Sequence, residues 1–297
     1  MTEIILRKLG LNQTSIDSVG ILKSRTVQVL GSSLSRIFSR ILSLKEKFGT
    51  VLYGLPLVIA FFGVWEIAPL TGIVSPIFFP PFSKAIIALK ELILSGELFG
   101  HILVSLQRAL AGFFLALVVA VPLGFLMGRY SRLEKTADLM IQGLRNTPHF
   151  ALLPVFIMVL GIGEASKIAI TFLAAVWFIL INTISGVKCV DPLYLKAAKS
   201  MGTSDIDLLI KVILPASIPS IVSGARLGVK SSLMSVIGAE MLAARSGLGF
   251  FIQNSHLMYR IPEMYAGILA LAIFGLVINY LLVWFEKSAT PWAATTH

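Results

Sequence analysis

Six apolar stretches decide what this chain can fold into. They lie at about residues 51–74, 109–128, 143–160, 168–187, 218–242 and 265–285. Each approaches the roughly 20 apolar residues that an α-helix needs to cross a bilayer. Only 13% of the 297 residues are charged, against about 25% in a soluble domain, so the chain lacks the polar groups to cover this much apolar surface in water. Within a bilayer every backbone N–H and C=O must be satisfied inside the structure, and runs this long do so as helices. The expectation is an all-α polytopic membrane protein with six transmembrane helices. Pro148 and Pro154 interrupt the third run, which membrane helices tolerate when neighbouring groups satisfy the freed carbonyls.

The remaining segments sort by charge. Residues 1–50 are basic, with Arg7, Lys8, Lys23, Arg25, Arg36, Arg40, Lys45 and Lys47. No long apolar run follows the first basic pair, so the segment does not read as a signal peptide. Leu34, Ile37, Phe38, Ile41 and Leu42 follow helical spacing opposite Arg36 and Arg40, a pattern for a helix on the inner membrane surface; residues 1–30 read equally well as a solvated tail. Residues 75–100 open with prolines and continue with Ala85, Ile86, Ala88, Leu89, Leu92 and Ile93 on one face and Lys84, Lys90 and Glu91 on another. This amphipathic segment is expected on the outer surface. The net charge of +10 would suggest nucleic acid in a soluble chain, but here it matches the positive-inside bias. Arg129, Arg132, Lys135, Lys188, Lys196, Lys199 and Lys211 fall on the side of the basic N-terminus. Both termini, including the tail 287–297, are expected in the cytoplasm. The single cysteine, Cys189, permits no internal disulfide, and the four histidines lack ligand spacing, so no metal or cofactor is expected on this chain.

One charged segment between the spans is built as a helical hairpin, residues 191–215. Asp191 is a plausible N-cap and Pro192 sits at the first helical position, where a missing N–H costs nothing. Tyr194, Ala197, Ala198 and Met201 then share a face at helical spacing. Gly202 ends the helix through the left-handed conformation. Ser204, with Asp207 three residues on, caps a second helix whose expected buried stripe is Ile206, Leu209, Ile210 and Ile213, closed by Pro215. A short helix with an Ala-Ala face toward the cytoplasm suits docking in a partner's groove.

Ala197-Ala198, Gly202, Val212 and Leu214-Pro215 resemble, in their spacing, the cytoplasmic loop of bacterial ABC importer permeases, which runs E-A-A, three residues, G, nine residues, a β-branched residue, one more, then L-P. Lys196 stands where that family has Glu. SLQRALAGFFLALVVAVPLGFLMG (105–128), LRNTPHFALLPVFIMVLGIGEASK (144–167), NTISGVKCVDPLYLKAAKSMG (182–202) and GARLGVKSSLMSVIGAEMLAARSGLGFFI (224–252) are similar to the nitrate/sulfonate/bicarbonate/taurine branch. The resemblance covers roughly residues 75–285 and implies a type I permease core over 101–286. It also implies a coupling helix in which Tyr194, Lys196, Ala197, Ala198, Met201 and Gly202 meet an ATP-binding subunit. The implied assembly holds two permease subunits, most simply identical, two ATPase subunits and an extracytoplasmic solute-binding protein, in the bacterial cytoplasmic membrane. ATP is then used by the partner, and the solute is a small anion of sulfonate, taurine, nitrate or bicarbonate type, or another small organic nutrient.

Other classes fail on particular residues. A DNA-reading helix-turn-helix needs side chains that reach base edges, which Ile206, Leu209 and Ile210 lack. A phosphate loop needs G-x-x-x-x-G-K-[ST], but Val229 occupies the second glycine position counted from Gly224. No nucleophile with a base and no carboxylate pair is visible, so the chain is not expected to be an enzyme. A secondary transporter would show coupling-ion sites or a repeat; neither is evident, which argues mildly against that class and leaves it as the second alternative.

Within the spans, Gly224, Gly228, Ser231 and Ser235 recur at helical spacing along the fifth run. Small residues there either pack helices closely or border a path. Lys230 lies near the middle of that run, where a buried charge costs on the order of 2.5–3.5 kcal/mol. Lys230, Glu240, Asn182 and Glu66 are candidates for the translocation path. Glu66 is a possible partner of Lys230, Arg245 a possible partner of Glu240, and Trp177 and Asn182 either line a path or pack.

Overall fold

The structure, a computed structural model, describes residues 56–72 and 74–290. The expected surface helix within residues 1–50 lies outside the described residues. The chain divides into two units, residues 1–68 and 69–297. The first contains most of α1 (Pro56–Leu70), an apolar helix with Phe61, Val64 and Ile67 exposed.

The second unit runs α2 (Phe82–Leu94), α3 (Glu97–Arg129), α4 (Ser131–Asn146), a 3-10 turn (His149–Leu152), α5 (Leu153–Leu160) and α6 (Glu164–Lys188). It continues with α7 (Pro192–Ser200), α8 (Asp205–Leu208), a π turn (Leu209–Ile213), α9 (Leu214–Ala243), α10 (Leu248–Leu257) and α11 (Ile261–Ala289). Four helical runs, Glu97–Arg129, Glu164–Lys188, Asp205–Leu257 and Ile261–Ala289, are long and apolar enough to cross a membrane. At 33 residues α3 is about 50 Å long, well beyond the ~30 Å hydrocarbon core.

The third expected span is broken. Residues Ser131–Asn146 and His149–Leu160 form a pair bent by 91°. Pro148 is the cause: it disfavours the α conformation at Thr147, which is extended at φ −74°, ψ 127°. Residues 131–142, between the second and third expected spans, belong to the first arm of that bend. With the bent pair counted once, the described residues hold up to five spans, and the 15-residue α1 falls short of the required length. Pro215 does not close the hairpin as expected. It sits in the first turn of α9, and the π turn before it carries the helix through, because a wider turn removes the clash of the proline ring with the preceding carbonyls.

Helix α6 packs between α3 and α9. Added Cβ atoms on Gly112, Gly124 and Gly128 of α3 would lie 1.9–2.8 Å from Thr171, Thr183 and Val187 of α6. On the other side added Cβ atoms on Gly224 and Gly228 of α9 would lie 2.6 Å from Asn182 and 3.1 Å from Ile179. Close helix contact through small residues is how membrane bundles gain van der Waals packing. In α2, Ala85 is buried, and Ala88, Leu89 and Leu92 are buried in a core with Leu98, Val236, Phe251 and Ala266. Ile86 and Ile93, expected on that face, are exposed; a stripe at three- and four-residue spacing leaves both one position off it. Exposed Val118, Met234, Leu276 and Trp284 would be a liability in water and suit a wall that meets lipid or a neighbouring subunit.

Candidate functional site

The hairpin forms as a capped pair of helical turns. The Asp191 carboxylate accepts from the Leu193 N–H at 2.8 Å, and Pro192 occupies the first turn. The exit is a Schellman arrangement: Thr203 N–H donates to the Ala198 carbonyl at 3.2 Å and Gly202 N–H to that of Lys199 at 3.0 Å. Gly202 has φ +75°, which a side chain would strain. Ser204 accepts from the Asp207 N–H at 3.2 Å and donates to its carboxylate at 2.9 Å. Tyr194, Lys196, Ala197, Met201 and Gly202 are exposed, and Leu193 joins them at 66%. Ala198, expected on the same outward face, is half-buried and packs with Leu195 against Val187, Leu208 and Ile213. The inner stripe of the second arm is Leu208 and Ile213, while Ile206 and Ile210 are exposed. The π turn adds a residue to the winding and shifts the buried side by that amount.

A buried ionic cluster ties four helices together. Arg108, 5% exposed, donates from Nη1 to Glu240 Oε1 at 2.8 Å and to the Ser246 carbonyl at 2.7 Å. Its Nε and Nη2 form a fork on Glu164 at 2.5 and 2.7 Å, the bidentate geometry that suits guanidinium to carboxylate. Glu240, 1% exposed, also accepts from Ser105 Oγ at 2.7 Å and from the Gly249 N–H at 3.0 Å. Leu248 N–H donates to Ser105 Oγ and Gly247 N–H to His101 Nδ1. The turn between α9 and α10 therefore folds directly over the carboxylate. This close wrapping requires glycine: a Cβ on Gly247, whose φ is +109°, would lie 2.2 Å from Glu240 Oε1, and one on Gly249 2.1 Å from the Ile237 carbonyl.

The structure corrects the expected partner of Glu240: it is Arg108, while Arg245 is exposed. The Glu240 side chain is buried. Arg108 escaped the sequence reading because it directly precedes the second apolar run as counted from Ala109. The signal was present in the apolar residues before it, Leu98, Ile102 and Leu103, which place Arg108 well inside one long helix.

The other candidates separate. Lys230 is half-buried beside a cavity of about 440 Å³ between α9 and α11, with Leu233, Met234, Phe274 and Asn279. Among the described residues it forms no ion pair, and the neighbouring Asn279 Oδ1 is buried without a hydrogen bond. Asn182 donates to the Phe178 carbonyl at 2.8 Å and lines a smaller cavity at the broken span. Glu66 sits half-buried on α1. Gly224, Gly228 and Ser235 are buried in helix contacts, whereas Ser231 is half-buried and its neighbour Ser232 donates to the Thr171 carbonyl at 3.1 Å. Arg226 pairs with Glu286 of α11 at 2.5 Å.

Residues 120–292 match the family described as binding-protein-dependent transport system inner membrane component. A putative aliphatic sulfonates transport permease protein of Bacillus subtilis is 33% identical over 239 residues, 80% of this chain and 87% of its own. The taurine transport system permease protein of Escherichia coli is 32% identical over 233 residues, 77% of this chain and 84% of its own. Among solved structures, the inward-facing MetNI methionine ABC transporter superposes with a TM-score of 0.56 at 20% identity, over 63% of this chain and 93% of that one. At that identity the likeness concerns the fold.

Proposed function

The chain belongs to the family of binding-protein-dependent transport system inner membrane components, and from that premise we propose that it forms half of the path by which a small anion of sulfonate, taurine or nitrate type enters the cell. It is an ABC importer permease of the type I fold and not an enzyme. The observation that carries the finer reading is the hairpin 191–215. Its outer face, Leu193, Tyr194, Ala197 and Met201, is apolar and exposed, while its inner face is fixed to the bundle through Leu208 and Ile213. An exposed apolar helix face anchored from behind is suited to transmit a partner's motion, and the partner is a separate ATPase subunit docked on the cytoplasmic side. Nucleotide-driven movement of that subunit biases the permease between inward-facing and outward-facing states.

Two such chains, most simply identical, surround the path, and a solute-binding protein delivers the anion from outside. Both termini lie in the cytoplasm, which puts Arg129, Lys188, Lys196 and Lys199 inside, as the positive-inside bias requires. The Arg108–Glu240 cluster then lies toward the outer end of the bundle. Lys230 serves the anion as a cation within the low-dielectric part of the protein; its lack of an ion pair among the described residues supports this.

The test is uptake of labelled taurine, methanesulfonate and nitrate by cells that express the chain with its ATPase and binding protein. Uptake of at least one should collapse when ATP is depleted with the proton gradient maintained. Uptake that survives ATP depletion would point to a secondary transporter and overturn the reading.

A further inference from the structure

The broken span leaves a small cavity with a polar wall. It measures about 170 Å³ and is lined by Arg145, His149, Trp177, Phe178, Ile181 and Asn182. Arg145 comes from the last turn of α4, His149 from the 3-10 turn after the bend, and the other four from α6. The lining holds one fixed positive charge, an indole N–H, an imidazole and a carboxamide, and no carboxylate. Among the described residues Arg145 forms no ion pair.

Two of these groups are unsatisfied. Trp177 is 9% exposed, and its Nε1 and the His149 Nδ1 are both buried without a hydrogen-bond partner. A buried indole N–H normally finds an acceptor, and an orphaned donor beside a cavity calls for an explanation. Asn182 is held in place by its bond to the Phe178 carbonyl and keeps a second N–H to offer. The guanidinium, indole and carboxamide all supply donors, and the ligand that satisfies such a set is an acceptor-rich anion. The volume limits its size, since it lies below the roughly 300–1,000 Å³ of sites for drug-sized ligands.

We propose that Arg145, His149, Trp177 and Asn182 form a binding site for a small oxyanion, one negative headgroup with at most a short tail, at the bend between α4 and α5. The break in the span is then functional: it brings Arg145 and His149 from separate arms of one span to the same stretch of α6. Irregular backbone at membrane depth is tolerated where it is buried in protein or lines a cavity. The proposal rests on the anion-import reading above and gives it a location distinct from Lys230, which lines a different cavity between α9 and α11.

The test uses the purified permease–ATPase complex and three probes: methanesulfonate and nitrate, each measured against chloride at equal ionic strength, and zwitterionic taurine, measured against buffer alone. Thermal stabilisation reports binding to the folded state, and comparing parent with variant cancels the general salt effect. At least one probe should stabilise the parent complex. Trp177→Phe, which keeps the ring and removes the N–H, should weaken that binding about tenfold or more, as expected for losing a hydrogen bond to a charged group. Arg145→Gln should do the same and Arg145→Lys should restore part of it. A role for Arg145 confined to capping α4 would leave the probe response of both Arg145 variants unchanged, and an unchanged response in these and in Trp177→Phe overturns the site. A Trp177-dependent shift produced by phosphatidylglycerol and by none of the soluble anions would also overturn it, by assigning the cavity to lipid. Uptake separates the site from the broader reading. If the parent transports none of the three probes, the import reading fails and the site with it. If the parent transports one and Trp177→Phe and Arg145→Gln transport it equally well, the site alone fails.

Discussion

Arg108 and Glu240 meet at 2.8 Å across 132 residues of sequence, one from α3 and the other from α9, both almost wholly buried. The pair is asymmetric in its alternatives. Arg108 has a second carboxylate in Glu164, whose side chain is 60% exposed, while Glu240 forms no second ion pair among the described residues. Breaking a buried pair from one side costs about 3–5 kcal/mol because a charge is left behind. Glu240→Ala should therefore lower the thermal stability of the purified protein by that order, and the double variant with Arg108→Ala should lose less than the sum of the two single changes. Glu164→Gln, at an exposed carboxylate, should cost under about 1 kcal/mol. Additive losses in the double variant would mean that the two residues do not act as a pair.

The turn over Glu240 has no room for a methyl group. Gly249→Ala would place a carbon 2.1 Å from the Ile237 carbonyl, a backbone atom that cannot step aside, whereas an added Cβ at Gly275 of α11 meets nothing within 4 Å. The expected outcome is loss of folded protein for Gly249→Ala and near-normal yield for Gly275→Ala, read by size-exclusion chromatography in detergent. Equal yields would show that the turn does not close as described.

Lys230 separates a transport role from a structural one in a single change. Lys230→Gln should preserve membrane yield and association with the ATPase while cutting uptake of the transported anion about tenfold or more, since a charge is removed from a low-dielectric site. Unchanged uptake, or failure of the complex to assemble, would remove Lys230 from the path.

Orientation can be read by labelling with an impermeant thiol reagent in a Cys189→Ser background. Cysteines at Ser131 and Lys199 should be shielded in intact cells, and those at exposed Ser95 and Arg245 should react. The reverse pattern would invert the topology.

How far the sequence could be read differed between elements for physical reasons. The long spans and the hairpin caps were legible because hydropathy, proline and capping chemistry act locally: Asp191, Gly202 and Ser204 all sit where their side chains or torsions predict. The break at Pro148 was visible as an interruption, but its 91° bend depends on what α4 and α5 pack against. The continuation of the helix through Pro215 was hidden because a π turn has no compositional mark. The Arg108 cluster was the largest omission. Its members, from Ser105 to Gly249, are far apart in sequence, and nothing in the residues around Arg108 says that Glu240 and Glu164 approach it from other helices. Glycine spacing in α9 was legible as a pattern, and Gly224 and Gly228 lie close against Asn182 and Ile179 of α6.

The proposed docking of an ATPase subunit on the outer face of the hairpin is tested most directly at position 197. Ala198 is half-buried against the bundle, so a bulky change there would test folding as much as docking. Ala197 is exposed and outside that contact, which makes Ala197→Trp the direct measurement, read as ATPase co-purification and ATP-dependent anion uptake in the same membranes. The expected result is a permease that inserts at normal yield, holds the ATPase subunit poorly and loses coupled uptake, with Lys211→Ala on the second arm as a control that keeps both. Full co-purification and full uptake with tryptophan at position 197 would contradict it.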